Sequence, residues 1–108
     1  MRGLGIDIVE LDRIDCVSDG FVKRVLSLEE ISLYYSFSDN RKKEYLGGRF
    51  AAKEAIIKCL SGIEMPIMNE ITILNDSNGK PVVNYKNYKI KVSISHEKHY
   101  ACAVAVLE

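Results

Sequence analysis

The chain has 108 residues, 47% of them hydrophobic, with 15 Lys+Arg against 15 Asp+Glu and a formal net charge of zero. That length fits one domain, residues 1–108, and the composition is that of a globule rather than a disordered chain. No apolar run reaches the roughly 18 residues a membrane span needs, and a neutral total supplies no global field to steer nucleic acid or an acidic membrane.

Leu4, Ile6 and Ile8 alternate with Gly5, Asp7 and Val9, which predicts a strand. Arg13 to Val25 reads as one or two short helical pieces, interrupted near Ser18-Asp19-Gly20. Ser27-Leu28-Glu29-Glu30 matches a capping box and starts a helix that runs to about Phe37. Ser38-Asp39-Asn40 is a break and a second N-cap signal. Residues 41–60 form the longest helical segment, with the stop signals Gly62 and Pro66 just beyond it. Gly47-Gly48 weakens that helix by about 1 kcal/mol per Gly, which implies close packing or the close approach of a ligand.

The last third reads as strands. Ile71 to Leu74 precedes the turn Asp76-Ser77-Asn78-Gly79, and Pro81-Val82-Val83, Ile90 to Ile94 and Tyr100 to Leu107 follow. Tyr100, Cys102, Val104 and Val106 share one face of the last strand; Ala101, Ala103, Ala105 and Leu107 share the other. Two apolar faces predict a central strand covered on both sides. The expected fold class is α+β: an N-terminal strand, helices, then antiparallel strands.

Cys16, Cys59 and Cys102 are odd in number and far apart, with no zinc or C-x-x-C spacing. Buried free thiols are the simplest reading. Met1 to Asp7 meets a carboxylate too soon for a signal-peptide core, so a cytoplasmic location is expected. Asn75-Asp76-Ser77 matches a glycosylation sequon but reads as a polar turn.

The neutral total hides a pattern. Residues 1–40 carry 4 basic and 8 acidic side chains, whereas residues 41–58 carry 6 basic and 2 acidic ones. At about 100° per residue, Arg49 and Lys53 share one flank of the long helix, and Glu54 and Lys58 share the other. Glu54 with Lys58 is an ordinary i,i+4 pair, but like charges at Arg49 and Lys53 repel, which a bound anion would relieve. Asp7 lies in an apolar strand, where a carboxylate must be solvated, hydrogen-bonded or bound to a metal. Ser93-Ile94-Ser95-His96 ends a strand with an imidazole, and Asn78-Gly79-Lys80-Pro81 is a sound turn. There is no Walker loop, dinucleotide fingerprint or catalytic triad order. Singly, each of these features has an ordinary structural explanation; together they form an ordered set.

Gly3-Leu4-Gly5-Ile6-Asp7-Ile8-Val9-Glu10 resembles the opening of the bacterial holo-acyl-carrier-protein synthases, the trimeric class of 4′-phosphopantetheinyl transferases. Leu46-Gly47-Gly48-Arg49-Phe50-Ala51-Ala52-Lys53-Glu54-Ala55 is similar to their central helix signature. Asn78 to Pro81, Ser93 to His96 and Tyr100-Ala101 follow in the family's order, so the resemblance spans nearly the whole chain.

The resemblance implies transfer of 4′-phosphopantetheine from coenzyme A to a serine of an apo acyl carrier protein, releasing adenosine 3′,5′-bisphosphate. It implies that Asp7 and Glu54 bind Mg²⁺, and that Arg49, Lys53, Lys58 and His96 contact coenzyme A phosphates. Arg41 matches a basic position near the 3′-phosphate, and Gly79, Lys80 and Pro81 match a turn near the adenine. Arg13, Phe21 and Arg24 match positions that face the carrier, among which Asp12, Asp15 and Asp19 intrude. Lys58 would neutralise developing negative charge, and Glu54 or a metal-bound water would take the serine proton. A homotrimer is implied, without nucleic acid or membrane as partner. Where the family has a Gly-Thr-Gly-like stretch, this chain has Leu60-Ser61-Gly62-Ile63 and a shortened connection to Ile71. The competing readings are a catalytically weak coenzyme A or nucleotide-binding member of the fold and a structural trimerisation domain.

Overall fold

The computed structural model describes residues 1–14 and 17–108. The expectations for Asp15 and Cys16 lie outside the described residues. Strand β1 (Gly3–Glu10) leads through a 3-10 turn at Leu11–Arg13 to helices α1 (Asp19–Val25), α2 (Leu28–Ser36) and α3 (Asp39–Cys59). A second 3-10 turn at Met68–Glu70 precedes β2 (Thr72–Asn75), β3 (Pro81–Asn84), β4 (Ile90–His96) and β5 (Tyr100–Leu107).

Each helix starts at a serine. Ser18 Oγ accepts the Phe21 N–H, so the expected interruption at Ser18-Asp19-Gly20 is the start of α1. Ser27 and Glu30 form the reciprocal capping box of α2. Ser38 Oγ accepts the Arg41 N–H and starts α3 at Asp39, two residues before the expected position.

β1, β5 and β4 form an antiparallel sheet in that order, and β2 and β3 form a separate hairpin. α3 lies across the sheet, and glycine decides how closely. A Cβ on Gly3 would stand 2.0 Å from the Cys59 carbonyl oxygen, and one on Gly5 would stand 2.0 Å from that of Ala55. The strand therefore rests on the helix backbone itself. The Gly47-Gly48 pair meets side chains instead: a Cβ on Gly47 would meet Leu11 Cδ2 at 2.3 Å, and one on Gly48 would meet Ile94 Cγ2 at 3.2 Å. Close packing is present at both.

The core between α3 and the sheet is built from small residues. Ala51, Ala52, Ala55 and Ile56 meet Ala103, Ala105, Leu107 and Val92. A second cluster gathers Val22, Val25 and Leu26 with Tyr34, Tyr45 and Leu46.

β5 is central, as its composition predicts, but this chain covers only one of its faces. Ala101, Ala103, Ala105 and Leu107 are buried, whereas Cys102, Val104 and Val106 are half-buried. The open face continues onto β1, where Leu4, Ile6 and Ile8 are 58%, 66% and 65% exposed. The register sets Leu4 beside Val106, Ile6 beside Val104 and Ile8 beside Cys102, so the uncovered surface is continuous and apolar.

Candidate active site

Gly3, Gly5 and Asp7 occupy alternate positions on β1, on the face that meets α3. The two glycines press the strand onto the helix, and Asp7 is the first residue on that face with a side chain. It arrives beside Glu54 and Lys58, one helical turn apart. Lys58 reaches across to β1, where its Nζ donates to the Ile6 carbonyl (2.8 Å) and to Asp7 Oδ1 (3.2 Å). The Glu54 carboxyl is held above the usual carboxylate range, by burial first and then by the negative charge of Asp7; Lys58 offsets part of this.

A cleft of about 530 Å³ opens over this cluster. Its wall includes Asp7, Glu54, Arg13, Phe21, Phe50 and Tyr100. Phe21 packs on Phe50 with ring centroids 5.7 Å apart, and the Arg24 guanidinium lies 5.9 Å from the centre of the Phe21 ring. The expected metal-binding and carrier-facing residues thus share one neighbourhood. Lys58, Ile57 and Ile63 line a second cleft of about 450 Å³, so Lys58 bridges the two.

The remaining expected site residues stand on other parts of the surface. Arg41, on the first turn of α3, lies over the rings of Phe37 and Tyr45 at 5.1 and 5.9 Å. His96 ends β4, with Nδ1 3.6 Å from Glu44 Oε2. Gly79, Lys80 and Pro81 lie where the β2–β3 turn enters β3. Asp76 Oδ1 accepts the N–H groups of Asn78 and Lys80, and Gly79 takes a φ of +81°. None of these five residues lines the Asp7 cleft.

Residues 3–105 match the 4′-phosphopantetheinyl transferase superfamily. The chain is 46% identical to the holo-[acyl-carrier-protein] synthase of Geobacillus sp. (strain WCH70), over 98% of this chain and 95% of that one. The chain belongs to the holo-acyl-carrier-protein synthases. Its fold is similar to the crystal structure of such a synthase from Bacillus anthracis in complex with CoA (3′,5′-ADP), with a TM-score of 0.92 and 39% identity over 99% of this chain and 96% of that one. It is also similar to the Helicobacter pylori synthase in complex with coenzyme A, with a TM-score of 0.81 and 33% identity over 97% and 99% of the two chains.

Two residues of the synthase signature, Arg49 and Lys53, are enclosed by the chain itself. They are 6% and 0% exposed. α2 packs over their flank of α3 and brings a carboxylate with it. Lys53 Nζ pairs with Glu30 Oε1, and Arg49 Nε lies 4.0 Å from Glu30 Oε2. Arg49 also donates to the Ile73 carbonyl and to Asn75 Oδ1. The anion that relieves the Arg49–Lys53 repulsion is therefore part of the chain. Burial pulls both cations' pKa values down, and Glu30 opposes that pull. Less of the charge of residues 41–58 consequently reaches solvent than its sum suggests.

Glu30 is the residue that sequence reasoning missed in this synthase. The capping box accounted for it fully, which hid its second function. The available signal was an unpartnered pair of like charges on α3 beside a glutamate on the preceding helix. On α3 the alanines face the sheet, whereas Phe50 and Ile57 line the two clefts.

The connection after Leu60, which departs from the family pattern, is held in place. Glu64 accepts hydrogen bonds from the Tyr85 and Tyr88 hydroxyls and pairs with Lys86 at 2.9 Å. No helix among the described residues is long and apolar enough to cross a membrane.

Proposed function

We propose that this chain transfers 4′-phosphopantetheine from coenzyme A to a serine of an apo acyl carrier protein and releases adenosine 3′,5′-bisphosphate. The observation that carries the reading is the convergence of Asp7, Glu54 and Lys58 between two clefts, in a chain matched over its length by holo-acyl-carrier-protein synthases. The serine Oγ attacks the diphosphate phosphorus that bears the pantetheine. The bond from that phosphorus to the bridging oxygen breaks, and the oxygen leaves with the adenosine bisphosphate. The serine proton goes to Glu54, directly or through a water. Lys58, already reaching into the carboxylate cluster, neutralises charge building on the phosphates.

The donor set suits Mg²⁺. Asp7 and Glu54, which line one cleft, would hold the ion as a pair of carboxylates. Two carboxylates suffice for an ion that keeps several waters and takes diphosphate oxygens. The mutual repulsion of the two carboxylates, and the Lys58 ammonium on Asp7, mark a place that attracts a cation. When bound, the ion would neutralise charge on the diphosphate and its leaving group.

The assembly in this reading is a homotrimer. An apolar face formed by Leu4, Ile6, Ile8, Val104 and Val106 favours covering by another copy. Arg41, His96 and Gly79 to Pro81 stand apart from the Asp7 cleft, an arrangement that fits sites completed across copies. Arg13, Phe21 and Arg24 form the carrier-facing wall, and the reaction takes place in the cytoplasm.

Mass spectrometry of apo carrier protein after incubation with coenzyme A and Mg²⁺ tests the function. The wild type is expected to add one phosphopantetheine, and Glu54→Ala is expected to add none. No adduct with wild type on any carrier protein offered, including the host's own, would overturn the reading.

A further inference from the structure

The buried charge cluster takes no direct part in that chemistry, yet it joins the elements that carry it. Glu30 Oε1 accepts the Ser27 N–H at 2.8 Å and also pairs with Lys53, while Oε2 accepts the Ile73 N–H at 2.9 Å. Lys53 Nζ also donates to the Val25 carbonyl at 2.7 Å and to the Met68 carbonyl at 3.1 Å. Arg49 takes the Ile73 carbonyl from the other side at 3.0 Å. One carboxylate and two cations thereby tie α1, α2, α3 and β2 together.

Two features go beyond packing. Val25 is the last residue of α1, so Lys53 satisfies a carbonyl that the helix itself leaves open. α1 has seven residues and is too short for its internal bonds to hold its direction, so external ties decide it. Lys53 also directly precedes Glu54 in α3. The tie thus runs from the helix that carries Phe21 and Arg24 to the residue adjoining the proposed metal ligand.

We propose that Glu30 and Lys53 are positioning residues. They set the orientation of α1 against Glu54 and so govern productive docking of the carrier protein rather than binding of coenzyme A. The inference rests on the proposed function, in which α1 forms part of the carrier-facing wall.

The double variant Glu30→Gln with Lys53→Met tests it. Removing both charges together leaves no bare Lys53 ammonium in the core, and Arg49 keeps the Ile73 carbonyl and Asn75 Oδ1 as partners. Gln retains one oxygen acceptor, enough for either the Ser27 or the Ile73 N–H, and Arg49 still holds β2. The variant is expected to keep the wild-type circular dichroism and to bind coenzyme A within about 2-fold by calorimetry, while its KM for apo carrier rises about 10-fold and kcat changes less than about 3-fold. A carrier KM within about 2-fold of wild type, or an equal loss of coenzyme A affinity, overturns the inference. If the double variant does not fold, Glu30→Asp carries the same test, because it withdraws the carboxylate by one methylene and keeps both charges. A rise in carrier KM of about 3-fold or more at unchanged coenzyme A affinity is then expected, and an unchanged carrier KM overturns the inference. Wild type assayed in parallel separates the two claims: its failure to modify the carrier defeats the proposed function itself.

Discussion

Lys53 and Glu30 form an ion pair in which neither side chain has any exposure to solvent. Such a pair is weak ground for overall stability, because both ions have lost their water. It is strong ground for order, because each partner makes the other indispensable. Ile73 shows the consequence: its N–H is held by Glu30 and its carbonyl by Arg49, so buried charges grip both sides of one residue.

Removing one partner alone should therefore cost far more than removing both. Glu30→Gln is expected to lose about 3–5 kcal/mol of unfolding free energy, because the Lys53 ammonium is left without its counter-charge. Adding Lys53→Met should recover part of that loss, the remainder reflecting Arg49, which also faces Glu30. Urea denaturation of the three proteins checks this, and a single variant as stable as wild type would contradict the buried pair.

Glu54→Gln should separate function from stability. Burial and the Asp7 charge make the ionised form costly, so the folded chain holds this proton more tightly than the unfolded chain. Stability therefore falls as pH rises from about 4.5 through the raised folded value, and the cost persists at neutral pH. The Gln variant is expected to gain up to about 2–4 °C in Tm at pH 7, a modest gain because the group is partly solvated. Its transfer rate should fall at least about 100-fold. Scanning calorimetry and initial rates across pH provide the check.

Gly5→Ala adds one methyl group where none fits. Its Cβ would stand 2.0 Å from the Ala55 carbonyl oxygen, and neither backbone can give way cheaply. The expected loss is about 1–3 kcal/mol or more, and the folded fraction should also lose activity because Asp7 is lifted away from Glu54. Denaturant midpoints alongside specific activity decide the matter; an unchanged midpoint would show that the close approach is absent.

Ile6→Asp places a charge at the centre of the open apolar face. The wild type is expected to run as a trimer in light scattering after size exclusion, and the variant as a monomer with little activity. A wild-type monomer with full activity would remove the oligomer from the proposal.

Arg24→Glu reverses a charge on the wall proposed to meet the carrier. Carrier KM is expected to rise about 10-fold or more while coenzyme A affinity holds, and charge reversal on the carrier should restore much of the loss. An unchanged KM would place carrier docking elsewhere.

Local signals were legible at Ser27 and Ser38, which start their helices, whereas Ser18, read as an interruption, caps α1, as capping chemistry requires within three or four residues. The alternation in β1 and β5 fixes which residues share a face, because a strand has a period of two. Together with the synthase signature, these features single out Asp7, Glu54 and Lys58 as candidate site residues.

What tertiary structure alone decided was which neighbour covers each face. Nothing in residues 41–60 says that α2 will bury one flank of α3 and set Glu30 between Arg49 and Lys53. Nor does the composition of β5 reveal that its second apolar face stays open in a single chain. Periodicity specifies direction along one element, whereas burial and pairing depend on elements distant in sequence. The sequence by itself therefore determined the strands, the helices and the acidic pair. Packing determined which of the basic side chains were consumed inside the protein and which remain to meet a substrate.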